Sequence, residues 1–198
     1  MTHRGWLKTG SLVTGACVLF AATAMAQAPN AAPPPPPSVK VGQPAPDFTA
    51  SYLKRDTGKT PPFSFPQVKL SDFKGQKNVV LAFFPAAFSP GCTNEMAKYQ
   101  EQSGQFNANN TVILGMSVDS TWANEAFAEK LGVKFPILSD ANRSITKNYG
   151  LFNEAQQVAN RATFVIDKNG IVQKEFIQTE ALDPNKALEA CALLKEVK

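Results

Sequence analysis

Two residues in the body of this chain could do chemistry on their own, Cys92 and Cys191. Their settings differ. Cys92 follows an apolar run through Pro85-Ala86-Ala87-Phe88-Ser89-Pro90-Gly91 and opens a helical pattern. A sulfur there meets unpaired backbone N–H groups and the positive end of a helix, and both favour an anion. The thiolate, not the thiol, is the nucleophile. Ser89 lies three residues upstream, where its hydroxyl can reach the same point, and Pro85 fixes and shields the turn. The two cysteines form no C-x-x-C pair, so dithiol exchange is not expected. The only histidine is His3, at the extreme N-terminus. The rest of the chain therefore lacks the imidazole needed for histidine metal sites, Ser–His or Cys–His dyads and histidine base catalysis.

To hold Cys92 at such a corner, the chain must supply a buried strand before it and a helix after it. Residues 78–84 contain Val79-Val80-Leu81-Ala82-Phe83-Phe84, the unbroken apolar run of a strand covered on both faces of a parallel sheet. Residues 111–118 and 162–167 read the same way. Asp167-Lys168-Asn169-Gly170 is a hairpin turn leading into a strand over 171–177, antiparallel to 162–167. Helices are expected over 93–106, 122–131, 144–149 and 184–197, the last with Asp183 as N-cap and Pro184 at its first position. A strand around Phe48, another over 68–70 and a helical turn over 71–75 precede the first long strand. Strands alternating with helices, plus one hairpin, predict an α/β sandwich with a mixed central sheet. No internal repeat is present.

The chain has 198 residues, 43% of them apolar and 18% charged, which suits one packed domain and argues against global disorder. The net charge of +4 falls to about +2 when the first 26 residues, which hold Arg4 and Lys8 and no acid, are set aside. With no basic run either, a nucleic-acid partner is not expected. Residues 1–26 read as a signal peptide: a basic start, an uncharged run, and Ala24-Met25-Ala26 as a small-x-small cleavage site. An uncleaved membrane anchor is the alternative, although the run is short for a span of ~20 residues. Cys17 would leave with this leader. Residues 27–38, with five consecutive prolines from Pro33 to Pro37, read as an extended linker, and 39–198 as the folded domain. The expected location is outside the cytoplasm, in a bacterial periplasm.

Pro85, Ser89 and Cys92 meet the pattern P-x-x-x-T/S-x-x-C, and residues 84–95 resemble the active-site segment of peroxiredoxins, the alkyl hydroperoxide reductase and thiol-specific antioxidant family. Other landmarks follow in the family's order: Val41-Gly42-Gln43-Pro44-Ala45-Pro46-Asp47-Phe48, Leu70-Ser71-Asp72-Phe73-Lys74-Gly75, Ser117-Val118-Asp119-Ser120, Phe135-Pro136-Ile137-Leu138-Ser139-Asp140, Tyr149-Gly150 and Arg161-Ala162-Thr163-Phe164. The resemblance covers about residues 39–177. It implies a thioredoxin-like fold and a thiol peroxidase acting on hydrogen peroxide or small organic hydroperoxides without metal, haem or flavin. Cys92 would attack the O–O bond and become sulfenic acid. Arg161 would sit beside the sulfur, Ser89 and the Cys92 N–H would hold the peroxide oxygens, and Glu95 would anchor the arginine. Most relatives carry threonine where Ser89 stands; serine keeps the hydroxyl but loses the methyl that restricts its rotamer.

The resemblance also frames the second cysteine. Where one subfamily places a resolving cysteine, five residues after the nucleophile, this chain has Ala97, and a C-terminal V-C-P segment is absent. Cys191 lies on an apolar helix face, so core packing is expected, with a resolving role, within the chain or across a homodimer, as the alternative. Otherwise the reductant is external, a thioredoxin-like protein or a low-molecular-weight thiol. Phe65, Phe73, Phe83, Phe84 and Phe88 are expected in the core, and Trp122 on a helix–sheet or dimer surface. A non-catalytic thioredoxin-fold thiol chaperone or binding module is the rival class. A copper-delivery role would need paired cysteines and usually a histidine.

Overall fold

The computed structural model describes Met1 and residues 35–196. The signal peptide and most of the proline linker read from the sequence lie outside the described residues. Seven strands make the main sheet: β1 (Thr49–Ser51), β2 (Gln67–Lys69), β3 (Asn78–Phe83), β4 (Thr111–Ser117), β5 (Ile137–Ser139), β6 (Ala162–Ile166) and β7 (Val172–Ile177). Their spatial order is β7-β6-β3-β4-β5-β1-β2. The central trio β3, β4 and β5 is parallel, and β6, β7, β1 and β2 join by antiparallel pairing. The helices are α1 (Pro90–Glu101), α2 (Ser103–Ala108), α3 (Thr121–Leu131), α4 (Ser144–Asn148) and α5 (Pro184–Glu196). This is a thioredoxin-like mixed sheet flanked by helices, as the strand–helix alternation implies.

Every residue of β3 is buried, because both faces of the sheet are covered. The two-residue period of a strand then divides the core. Val79, Leu81 and Phe83 point to one face, where Phe48, Leu114, Met116, Tyr149 and Phe164 pack. Val80, Ala82 and Phe84 point to the other, against Cys92, Met96 and Tyr99 of α1, Phe106 of α2, Phe127 of α3 and Cys191 of α5. Burying such side chains is worth roughly 1.5–3 kcal/mol each, so the parity of β3 decides which helices sit on which side. Both cysteines fall on the same face.

Three elements depart from the sequence reading. The expected helix over 93–106 is two helices, broken at Gln102 (φ −95°, ψ 1°), with the Ser103 hydroxyl donating to the Gln100 carbonyl at 2.8 Å. Strand β5 is not legible as a strand in the sequence: three residues between Pro136 and Asp140 are too short to show a period, although Leu138 is fully buried. Packing against the domain also includes residues before Val39. Pro37 is buried, and Ser38 donates from its N–H to the Tyr149 carbonyl at 3.1 Å and from its hydroxyl to the Asn148 carbonyl at 2.9 Å. The five expected core rings divide, with Phe73 partly buried against the core. Phe83 and Phe84 are fully buried, whereas Phe65 and Phe88 are half-exposed. Phe65 stacks edge-on with Phe63 and Trp122 at the surface, with ring centroids 5.8 Å apart in both pairs.

Candidate active site

The corner after β3 is built from both sides. Phe84 continues the pairing by donating to the Met116 carbonyl at 3.0 Å, and the chain then leaves the sheet at Pro85. The Asp119 carboxylate, just past β4, accepts from the Ala87 N–H at 2.8 Å and pins the turn. Phe88 takes a left-handed conformation (φ 64°) and leans its ring on Phe127 at 5.3 Å. Ser89 is the N-cap of α1, but its hydroxyl makes no capping bond. Pro90 opens the helix, where its missing N–H costs nothing. The first backbone bond of α1 runs from the Thr93 N–H to the Ser89 carbonyl at 2.9 Å. The Cys92 N–H therefore stays free of any partner among the described residues, as does the Ser89 hydroxyl.

The buried face of α1 carries Cys92, Glu95, Met96 and Tyr99. The facing edge of β6 carries Thr163, with Arg161 two residues earlier on the same side. Four residues of helix rise about 6 Å and two residues of strand about 6.6 Å, so the two rows meet rung by rung. Tyr99 and Thr163 share a hydrogen bond of 3.3 Å between their oxygens. One rung up, Arg161 donates through Nη1 to Glu95 Oε2 and through Nη2 to Cys92 Sγ at 3.1 Å. The Gln178 N–H fastens the arginine's own carbonyl at 3.0 Å.

The resulting centre is dry. Cys92 has no exposed surface, Glu95 is fully buried, and the Arg161 side chain is 10% exposed. A buried ion pair adds little net stability, because desolvation of both ions offsets their attraction. What it supplies is geometry: the carboxylate fixes one arm of the guanidinium fork so that the other faces the sulfur. Glu95 Oε1 has no hydrogen-bond partner among the described residues. Gly91 leaves room for this arrangement, since a Cβ there would lie 3.4 Å from Arg161 Nη2 and 3.7 Å from Leu182.

The structure thus brings Cys92, Arg161, Glu95, Ser89 and Pro85 into one corner. Cys191 is elsewhere. It neighbours Thr111 at the start of β4 and Tyr99 of α1, whereas Cys92 lies in the first turn of α1. Both sulfurs are free thiols. Burial pushes the Cys191 thiol up to about 11, opposed by the Thr111 side chain. Asp119, Gly91, Tyr99 and Thr163 support the site without having been singled out for it from the sequence. Asp119 and Thr163 sit in recognisable segments, but nothing in their residue types signals the contact. A hollow of about 290 Å3 lined by Leu70, Phe73, Lys77, Val79 and Ile171 opens at the other end of the strands, away from Cys92.

Known proteins give a consistent comparison. The AhpC/TSA family model matches residues 41–175. A chloroplastic 2-Cys peroxiredoxin BAS1 of Hordeum vulgare is 37% identical over 144 residues, 69% of this chain and 65% of that protein. Alkyl hydroperoxide reductase E of Mycobacterium bovis is 35% identical over 137 residues, 68% of this chain and 83% of that protein. The reduced 2-Cys peroxiredoxin of Plasmodium vivax superposes with a TM-score of 0.67 at 30% identity, covering 78% of this chain and 96% of its own. The match spans 52–65% of the length of the chloroplastic relatives.

Proposed function

The chain belongs to the AhpC/TSA family, the peroxiredoxins, and we propose that it is a thiol-dependent peroxidase that reduces hydrogen peroxide or small organic hydroperoxides through Cys92. The observation that carries this reading is the Arg161 guanidinium 3.1 Å from Cys92 Sγ, beside two unpaired donors, the Ser89 hydroxyl and the Cys92 N–H.

The chemistry runs as follows. The thiolate is the reactive form of sulfur, and here the guanidinium and the helix N-terminus face it. The thiolate attacks the terminal oxygen of the peroxide, an S–O bond forms, and the O–O bond breaks. The electron pair leaves on the second oxygen as hydroxide or alkoxide, which takes a proton to become water or an alcohol. Negative charge moves from sulfur to oxygen during this step. Arg161, Ser89 and the Cys92 N–H are donors held in place before it begins, so they stabilise that charge without reorganising. Glu95 keeps the guanidinium aimed, and Asp119 pins the turn that leads from Pro85 to Cys92.

The product is a sulfenic acid on Cys92. Cys191, fully buried on α5 and raised by burial to about 11, is a poor resolving thiol. The proposal is therefore a one-cysteine mechanism with an external thiol as reductant. The first thiol condenses with the sulfenic acid, releasing water and forming a mixed disulfide. A second thiol then frees Cys92. Export to a periplasm, supported by the leader pattern of residues 1–26, belongs to the same proposal. So does assembly as a homodimer, supported by the half-exposed Phe65 and Trp122 rings.

Intact-mass analysis after one equivalent of hydrogen peroxide tests the mechanism. The expected result is one added oxygen located on Cys92. Loss of two hydrogens would replace the one-cysteine route by a disulfide to Cys191. Unchanged mass with peroxide left unconsumed would favour the non-catalytic thiol-binding module.

A further inference from the structure

The last residues of the proline run do not hang free of the domain. Pro35 and Pro37 line a small hollow together with Leu151, Arg161, Ile177 and Gln178. Pro37 is buried, and the two Ser38 hydrogen bonds to the 148–149 carbonyls tie down the end of the segment. The seat is shaped for it. Gly150 has φ +69°, and a Cβ there would lie 2.6 Å from the Ser38 nitrogen, closer than real contacts allow. Leu151, next along the chain, accepts from the Asn160 N–H at 2.7 Å, which joins this seat to the residue before Arg161. The prolines thus rest against the same short stretch that presents the guanidinium to Cys92.

We propose that residues 35–38 are a positioning strap for Arg161, a rigid proline stretch that closes the arginine's outer side and holds its guanidinium against Cys92. An arginine side chain has many rotamers to lose, and a partner on one arm restricts only part of them. A polyproline stretch is already extended and unpaired, so laying it down costs little further entropy. Its rings carry no N–H to compete for Glu95 or for the sulfur. Excluding water from the outer side also strengthens the attraction between cation and sulfur anion. The inference rests on the proposed role of Cys92 and Arg161, and its test is read by a reaction other than peroxide reduction.

The test uses the full chain with Gly150→Ala, which drives a methyl into Ser38, and separately with Pro35→Gly and Pro37→Gly together. Gly132→Ala is the control for backbone strain, because Gly132 has a matching φ of +68° and nothing within 4 Å of its Cβ position. Each is made with Arg161 intact and with Arg161→Ala. Two rates are measured: alkylation of Cys92 by iodoacetamide, read by peptide mass, and consumption of hydrogen peroxide. With Arg161 present, the strap variants are expected to slow alkylation roughly 3- to 10-fold while Gly132→Ala does not. In the Arg161→Ala background they are expected to add nothing. An equal loss in both backgrounds would mean the strap only stabilises the fold, and the inference would fall. It would also fall if the proline variant alkylated at the wild-type rate. If alkylation depends on strap and arginine as expected but no peroxide is consumed, the strap stands and the peroxidase reading is lost. Should Gly150→Ala not fold, the proline variant alone decides.

Discussion

Cys92 and Cys191 belong to one apolar cluster on one face of one sheet, and neither has any exposed surface. By burial alone they are the same residue. They differ in what the chain does around them. Cys92 stands at a helix start with an arginine Nη2 at 3.1 Å, whereas Cys191 sits eight residues into α5 with the Thr111 side chain as its polar neighbour. Burial in general disfavours a charged sulfur, and only a charge or an oriented dipole can reverse it. A buried cysteine is thus inert or reactive according to which end of the strands it packs against. The carboxyl ends of β3 and β4 carry the turn, the helix start and the arginine; the other end carries packing.

The sharpest way to break this contrast is to exchange the sulfurs for oxygen one at a time. Cys92→Ser is expected to lower peroxide consumption by on the order of 10³-fold or more, since a hydroxyl at that site is a far weaker nucleophile. Cys191→Ser changes a residue of α5 that is hydrogen-bonded to none of Cys92, Glu95 and Arg161, so the rate is expected to stay within about twofold. Stopped-flow peroxide assays compare them directly. Equal losses would erase the distinction between the two ends.

Next in size is the cation. Arg161→Ala is expected to cost roughly 10²- to 10³-fold in kcat/KM, the loss seen when a preorganised donor to developing charge is removed. Arg161→Lys keeps the charge but cannot serve Glu95 and Cys92 with one planar fork, so it should recover only part of the rate. Glu95→Gln keeps the shape and loses the charge, and a smaller loss of about 3- to 10-fold is expected. A full-rate Arg161→Lys enzyme would show that charge alone, without aim, is enough.

How much of this was legible in the sequence follows the same divide. The apolar run over Val79–Phe84, the hairpin at Asp167-Lys168-Asn169-Gly170 and the Pro-x-x-x-Ser-x-x-Cys corner are local patterns, and local patterns can be read. The hairpin is built as its residues demand: Gly170 is left-handed at φ 82°, and Asp167 Oδ1 accepts from the Asn169 and Ile171 N–H groups. Arg161 is different. Nothing in its neighbourhood of sequence says that it meets a residue 69 positions earlier, and only resemblance to a family pointed there. The break at Gln102 depends on tertiary context, because its side chain amide donates to Asn185 at 2.7 Å. The three-residue strand β5 owes its existence to pairing with β4 and β1 rather than to its own pattern. Pro37 was read as linker because polyproline cannot make a core; it can still cover one.

The inert end makes its own prediction, in stability rather than rate. Burial raises the Cys191 thiol to about 11 from an ordinary 9.0. The folded chain therefore holds this proton more tightly than the unfolded chain does. The stabilisation is complete below about pH 9 and is lost as pH climbs through about 11. Two units correspond to roughly 2–3 kcal/mol. Tyr99 and Tyr149 are pushed up by burial as well, so they erode stability in the same direction at still higher pH. Urea midpoints measured across the alkaline range should fall less steeply for Cys191→Ala than for the parent chain. Parallel curves would mean that this thiol is not held protonated by its surroundings.

A further modest effect is expected from Asp119, and it probes how far the reactive end depends on its scaffold. Its carboxylate touches neither the sulfur nor the arginine; it accepts from the Ala87 N–H at 2.8 Å, while its own N–H donates to the Ser117 hydroxyl at 3.2 Å. Ser117 in turn donates to Asn124, which donates to the Leu138 carbonyl, so β4, α3 and β5 are tied to the turn after β3. A hydrogen bond to a charged acceptor is worth roughly 1.5–3 kcal/mol, and about 1 to a neutral one. Asp119→Ala should loosen residues 85–88 and reduce kcat/KM by roughly 3- to 10-fold, whereas Asp119→Asn keeps an acceptor and should lose about half of that in free-energy terms. The decisive comparison is with iodoacetamide alkylation of Cys92. If the turn only frames the peroxide, Asp119→Ala slows peroxide reduction and leaves alkylation unchanged, because the sulfur, the arginine and the helix start are untouched. If both rates fall together, the turn also helps to hold the sulfur anion, and the reactive end of the sheet is a larger cooperative unit than Cys92, Glu95 and Arg161.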